Sequence, residues 1–163
     1  MEYLDLYDEF RKPIGKSIIR GKEKPKEGTY INIVIVFIEN SKGEFLIQKT
    51  SKKKGSVFAT TGGLVSKGYT TDDTIVKEIK EELGLDVLID ELTLFYTDKR
   101  THSFQDAYYI KKDIDISELT LQEDEVEYVV WLSIEKIKEL INKKEFREGN
   151  INSFNKLIDL LKK

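Results

Sequence analysis

The chain has 163 residues, 39% of them hydrophobic, with 27 basic against 30 acidic side chains, a net charge of −3 and no cysteine. A chain of this size can bury one sizeable core, while disulfides, a thiolate nucleophile and cysteine metal ligands are excluded. The balanced charge argues for neither nucleic acid nor a membrane surface as partner, no apolar run approaches a membrane span, and the acidic MEYLDLYDEF start lacks a secretory pattern, so the expected location is the cytoplasm.

In chain order, YLDLYD at 3–8 alternates apolar and acidic side chains, which predicts a short half-exposed strand. Pro13, Gly15, Gly21, Pro25 and Gly28 punctuate the next segment, which reads as loops around a brief strand at Ser17 to Arg20. KEKPKE at 22–27 reads as a charged surface connector. YINIVIVFI at 30–38 is the most apolar run and predicts a central strand buried on both faces. Asn40 to Gly43 is a turn, and Glu44 to Lys49 returns as a hairpin partner. In the following QKTSKKKGSVFATTGG most lysines read as solvated, with Lys49 and Lys54 as candidates to approach a phosphate as point charges. Phe58 reads as core.

Gly62 to Leu85, GGLVSKGYTTDDTIVKEIKEELGL, is the most informative stretch. A glycine-marked loop leads into a helix with Thr70 as N-cap, Asp73 completing an acidic capping box, and Gly84 as a left-handed stop. Ile75, Ile79 and Leu83 recur as a buried stripe with Val76 beside them. Glu78, Glu81 and Glu82 stand at i, i+3 and i+4 and so gather on a second face. Like charges so spaced cost about 0.2–0.5 kcal/mol per pair, and a hard divalent cation would relieve them. Taken alone, KEIKEE reads as a solvated face with a Lys77–Glu81 ion pair.

Beyond the helix, Asp86 to Thr97 predicts a strand (VLI, then LTLFYT) interrupted near Asp90-Glu91, and Gln105 to Ile110 predicts another. His102, the sole histidine, reads as a solvated turn residue between them. Glu125 to Leu132 predicts a strand carrying Trp131 as a core residue, with Glu123 and Glu125 at its start on one side of the pleat. Ser133 caps a helix to about Ile141, and a last helix from about Ser153 to Leu161 buries Phe154, Leu157, Ile158 and Leu161. A mixed sheet with helices on both faces fits this order.

Read from Gly63, the helix and its loop spell G-x13-K-E-I-x-E-E-x-G-L. This resembles the Nudix box, G-x5-E-x7-R-E-U-x-E-E-x-G-U with U aliphatic. Gly63, Glu78, Ile79, Glu81, Glu82, Gly84 and Leu85 match in register, whereas Tyr69 stands at the family's glutamate and Lys77 at its arginine. Asp5, Tyr7, Asp8, Glu9, Gly15 and Lys16 are similar to the opening of the isopentenyl-diphosphate isomerase-like branch of that superfamily. The isomerase reaction is set aside. In its common form it relies on a cysteine and a histidine-rich metal site, and Gly62 and Leu64 stand about where the cysteine and histidine would fall.

The resemblance implies a single Nudix domain over residues 1–163, an α/β/α sandwich on which 1–28 packs as an N-terminal extension. It implies a Mg²⁺-dependent pyrophosphohydrolase, with Mn²⁺ able to substitute, that cleaves a nucleoside diphosphate linked to another moiety. Glu78, Glu81 and Glu82 would hold the metal and, with Glu125 as an accessory metal or base residue, form the catalytic set. Gly62, Gly63, Lys49 and Lys54 would meet the substrate, and Lys77 and Gly84 are structural within the box. With one histidine and no cysteine in the chain, the base is a carboxylate. Lys77 keeps the charge of the family's arginine but not its fork, and Tyr69 removes a carboxylate. A catalytically weak or inactive nucleotide-binding sensor is therefore the alternative. The expected partner is a small nucleoside diphosphate derivative, with no nucleic acid and no membrane; a homodimer is left open.

Overall fold

The computed structural model describes residues 1–162. β1 (Tyr3–Tyr7) and β2 (Pro13–Ile19) form an antiparallel two-stranded sheet, the second strand longer than its loop-rich sequence predicts. Their Leu4, Leu6 and Ile18 pack on Ile31 and Leu64 of the main body. Arg11, held at φ 63° in the turn between them, forks onto the buried Asp106 at 2.9 and 2.8 Å. Thr97 Oγ1 also donates to Asp106, at 2.7 Å, so that carboxylate is fully engaged.

β3 (Ile31–Glu39) is the central strand. Its pleat sends Val34, Val36 and Ile38 into one core and Ile35 and Phe37 into the other, which is why the run is apolar throughout. β4 (Phe45–Thr50) follows the turn at 40–43, but the expected hairpin barely forms. The two strands share one paired position, Glu39 with Phe45, and then part. β5 (Phe58–Ala59) takes the edge of β4, and β6 (Thr61–Leu64) takes the edge of β3, pairing Thr61 to Leu64 with Val36 to Ile33. The chain crosses between these edges at Thr60. Its N–H donates to Asn150 Oδ1 at 3.1 Å and its hydroxyl donates to Val36 O. The sheet is thereby split over the first half of β3, and the split is where a ligand can enter.

α1 (Thr71–Leu83) packs on the first face with Ile75, Ile79 and Leu83 fully buried. Its start is set by Thr70, whose hydroxyl accepts from Asp73 N–H at 3.0 Å, and its end by Gly84 at φ 68°. The VLI segment after it is not a strand; an irregular connection and a 3₁₀ turn at Ile89–Glu91 precede β7 (Thr93–Lys99). β8 (Ser103–Lys111) returns antiparallel to β7 and lies parallel to β3 along its whole length. β9 (Val126–Leu132) pairs with β4. Glu123 and Glu125 lie in the turn before β9, so the pleat does not align them. α2 (Ile134–Asn142) and α3 (Ile151–Leu161) cover the second face through Ile137, Leu140, Phe154, Leu157 and Ile158. This is the mixed sheet flanked by helices on both sides. Trp131 sits partly buried at the margin of the first core, and among the described residues no helix is long and apolar enough to cross a membrane.

Candidate active site

The split in the sheet opens into a cleft of about 580 Å³. Its floor is the backbone at Gly62 and Gly63, where side chains are sterically excluded. A Cβ on Gly62 would collide with the Val34 carbonyl and reach 2.8 Å from Ile35 Cγ2; one on Gly63 would lie 2.6 Å from Glu78 Cδ. Gly63 thus lets α1 sit directly on the strand, with the Glu78 carboxyl against bare backbone, while Gly62 lets β6 close on β3.

The three helix glutamates are not equivalent. On a helical wheel Glu82 falls about 60° from Ile79 and Glu81 about 160° away. Accordingly Glu82 is 6% exposed, Glu78 is partly buried, and Glu81 is exposed on the rim, with its carboxylate 3.8 Å from Lys77 Nζ. All three line the cleft, as the spacing predicts, but at different depths: Glu82 is deepest, Glu78 is half-buried beside it and Glu81 stands at the rim. Burial, and then the charge of Glu78, push the Glu82 carboxyl up to about 8. Glu78 is raised as well, by burial and then by the charge of Glu81, against the lowering influence of its hydrogen bond with Glu82 and of Lys77 and Arg20. Among the described residues Glu82 Oε1 is buried with no hydrogen-bond partner. That is a costly arrangement for the chain alone. Among the same residues no three acidic or histidine side chains stand close enough to form a ready-made cation cage. Two carboxylates completed by water and phosphate oxygens are what a magnesium ion accepts, so the donor set fits that ion.

The sequence profile of the NUDIX domain matches residues 29–154. The chain belongs to this family. It is 35% identical to an uncharacterised Nudix hydrolase of Listeria innocua over 90% of this chain and 88% of that one. It is 33% identical to the ADP-ribose pyrophosphatase of Methanocaldococcus jannaschii over 47% of each. A crystal structure from Deinococcus radiodurans shares its fold, with a TM-score of 0.76 at 23% identity, covering 94% of this chain and 96% of that one. The protein is a Nudix-type hydrolase acting on anhydrides in phosphorus-containing compounds.

The two departures from the Nudix box touch each other: Lys77 Nζ lies 5.1 Å from the centroid of the exposed Tyr69 ring. Opposite α1, the segment at 120–125 is sewn to the helix end by Thr120 N–H to Leu83 O at 3.0 Å and Gln122 N–H to Glu82 O at 3.1 Å. This brings Glu125 to the cleft, where Lys54 Nζ meets its Oε2 at 3.0 Å. Glu123 stays exposed outside. Lys49 does not line the cleft. Along β4 it points away from Gln48 and Thr50, which do, and its ammonium stands over Phe58 at 4.6 Å. His102 Nδ1 lies 3.3 Å from Thr29 O, and its side chain does not line the cleft.

Sequence reading missed the other charged walls of this Nudix site. Arg147 is carried in by the bridge that pairs Phe146 with Phe58, and its Nη2 donates to Lys54 O at 3.1 Å. Burial lowers its pKa, while the nearby Glu82 and Glu125 oppose that shift. Arg20 reaches the rim from beyond β2 and pairs with Glu2 at 2.8 Å; Glu2 also accepts from Ser66 Oγ at 2.8 Å. Arg100 lines the cleft from the β7–β8 turn. Isolated arginines in loops carry no spacing signal, so none of the three announces itself in the sequence.

Proposed function

We propose that the protein is a Mg²⁺-dependent pyrophosphohydrolase for a small nucleoside diphosphate derivative, working in the cytoplasm, with Mn²⁺ able to replace Mg²⁺. The observation that carries this reading is the orphaned, buried Glu82 Oε1 beside Glu78 in a cleft floored by two glycines. Glu78 and Glu82 would hold the cation, with Glu81 adding negative charge from the rim. When bound, the ion supplies charge neutralisation on the phosphate oxygens and a lowered pKa for a coordinated water. Gly62 and Gly63, which line the cleft beside Glu78, would face the diphosphate. Arg147 holds positive charge beside the glutamates, where it attracts the same phosphates. Glu125 accepts the proton of the attacking water, and Lys54 keeps that carboxylate oriented. Residues 1–28 belong to the same unit, since their hairpin packs on β3 and β6 and supplies Glu2 and Arg20 to the cleft wall.

A panel of nucleotide sugars, dinucleoside polyphosphates and nucleoside triphosphates, assayed with Mg²⁺, with Mn²⁺ and with EDTA, tests this. Release of a nucleoside monophosphate or of phosphate from at least one compound is expected with either metal and not with EDTA. Binding of nucleotides without any turnover would instead favour the sensor, whose motivation is the altered Tyr69 and Lys77.

A further inference from the structure

Arg100 follows β7, and its N–H donates to Ser103 O at 2.8 Å to close the turn into β8. Its guanidinium lies flat against Gly149: a Cβ on that residue would come 2.9 Å from Nη2 and 3.1 Å from Nη1. Gly149 is fixed in turn. Gln105 Nε2 donates to Gly149 O at 2.9 Å, and Ser153 Oγ donates to Gln105 Oε1 at 3.1 Å, both side chains being buried. The seat is therefore built, and the absence of a side chain at 149 is what makes room for the cation.

Among the described residues this guanidinium has no hydrogen-bond acceptor, no ion-pair partner and no aromatic ring. The acids on neighbouring strands are engaged elsewhere: Asp106 is forked by Arg11, and Asp98 accepts from Asn152 at 3.3 Å. An arginine presents a planar array of donors that suits an oxyanion bidentately. Partly buried and with none of those donors used by the chain, Arg100 is matched to an acceptor that arrives with the ligand. It stands across the split in the sheet from the glutamates. Glu78 packs on Gly63 on the α1 side, whereas Gly149 adjoins the start of α3.

We propose that Arg100 receives a second anionic group of the substrate, a phosphomonoester or comparable oxyanion carried outside the diphosphate held at the glutamate end. This rests on the hydrolase reading above and narrows its substrate class to derivatives bearing an additional phosphate. Matched ligands that differ by one phosphomonoester test it. Adenosine 5′-monophosphate is compared with adenosine 2′,5′- and 3′,5′-bisphosphates by calorimetry on the metal-free protein. ADP-ribose is compared with its 2′-phosphate, and dephospho-coenzyme A with coenzyme A, in Mg²⁺-supplied turnover. The extra phosphate is expected to improve binding or kcat/KM about tenfold in at least one pair, or about 1.4 kcal/mol. Arg100→Ala brings that ratio close to one, and Arg100→Lys keeps part of it. The same ratio in wild type and Arg100→Ala, or a ratio near one in every wild-type pair, overturns the subsite. Silent turnover combined with Arg100-dependent bisphosphate binding sinks the hydrolase reading and leaves the subsite standing. Turnover of every pair without preference does the reverse.

Discussion

Glu82→Gln is expected to lower kcat by roughly 10²- to 10³-fold or more, on the scale of removing a group that acts on charge developing in the transition state. Glutamine keeps the shape and one oxygen but loses the negative charge, and at this position the charge is the point. Glu82 is 6% exposed, sits beside Glu78, and points an oxygen at no partner among the described residues. In the metal-free fold near pH 7 Glu82 keeps its proton, so a neutral glutamine should leave the melting temperature close to that of wild type; above about pH 8, where wild type carries the charge beside Glu78, the variant should melt higher. Steady-state kinetics with Mg²⁺, alongside melting curves in EDTA, separate the two effects. A variant that unfolds readily and recovers activity when stabilised would mark Glu82 as structural.

The same carboxyl predicts how stability depends on pH. Its pKa rises from 4.5 in the free side chain to about 8 in the fold, through burial and the neighbouring Glu78. Between these values the folded chain keeps a proton that the unfolded chain has released. Stability of the metal-free protein must therefore fall as pH rises from about 4.5 to about 8, and stay low beyond. A loss of several degrees in Tm between pH 5 and pH 9 is the expected size. Saturating Mg²⁺ binds the folded state with both carboxylates ionised, so it should restore most of that loss, and more at pH 9 than at pH 6. Glu82→Gln should flatten the metal-free profile and exceed wild type at pH 9. Melting curves at intervals of one pH unit, with and without Mg²⁺, decide it. A flat wild-type profile in EDTA would mean the pair is not strained.

Much of this was legible in the sequence because it is local. Thr70, Gly84 and the Ile75–Ile79–Leu83 stripe specify a helix of thirteen residues between its two caps, and the structure places α1 there. The apolar run at 30–38 specifies a strand buried on both sides, and β3 is that strand. What the sequence hid is nonlocal. Adjacency predicted β3 and β4 as a hairpin, but β6, whose close approach to β3 Gly62 permits, takes the edge of β3 instead. The site inherits that limit. The carboxylates come from one helix and declare their spacing, though not that Glu82 would be buried and Glu81 left on the rim. Lys54 and Glu125 meet because the turn before β9 is tied both to Ser51 and to the end of α1. Arg147 arrives through a bridge between residues 58 and 146, a contact that no periodicity encodes.

The central claim is that Glu78 and Glu82 are the seat of a divalent cation. Crystals soaked in Mn²⁺ together with a slowly hydrolysed nucleoside diphosphate derivative locate the ion directly by its anomalous scattering. The account predicts a peak within coordination distance of both carboxylates, Glu82 Oε1 among the ligands, with the diphosphate completing the shell. Manganese bound elsewhere on the surface, with Glu82 Oε1 still facing no cation, would contradict it.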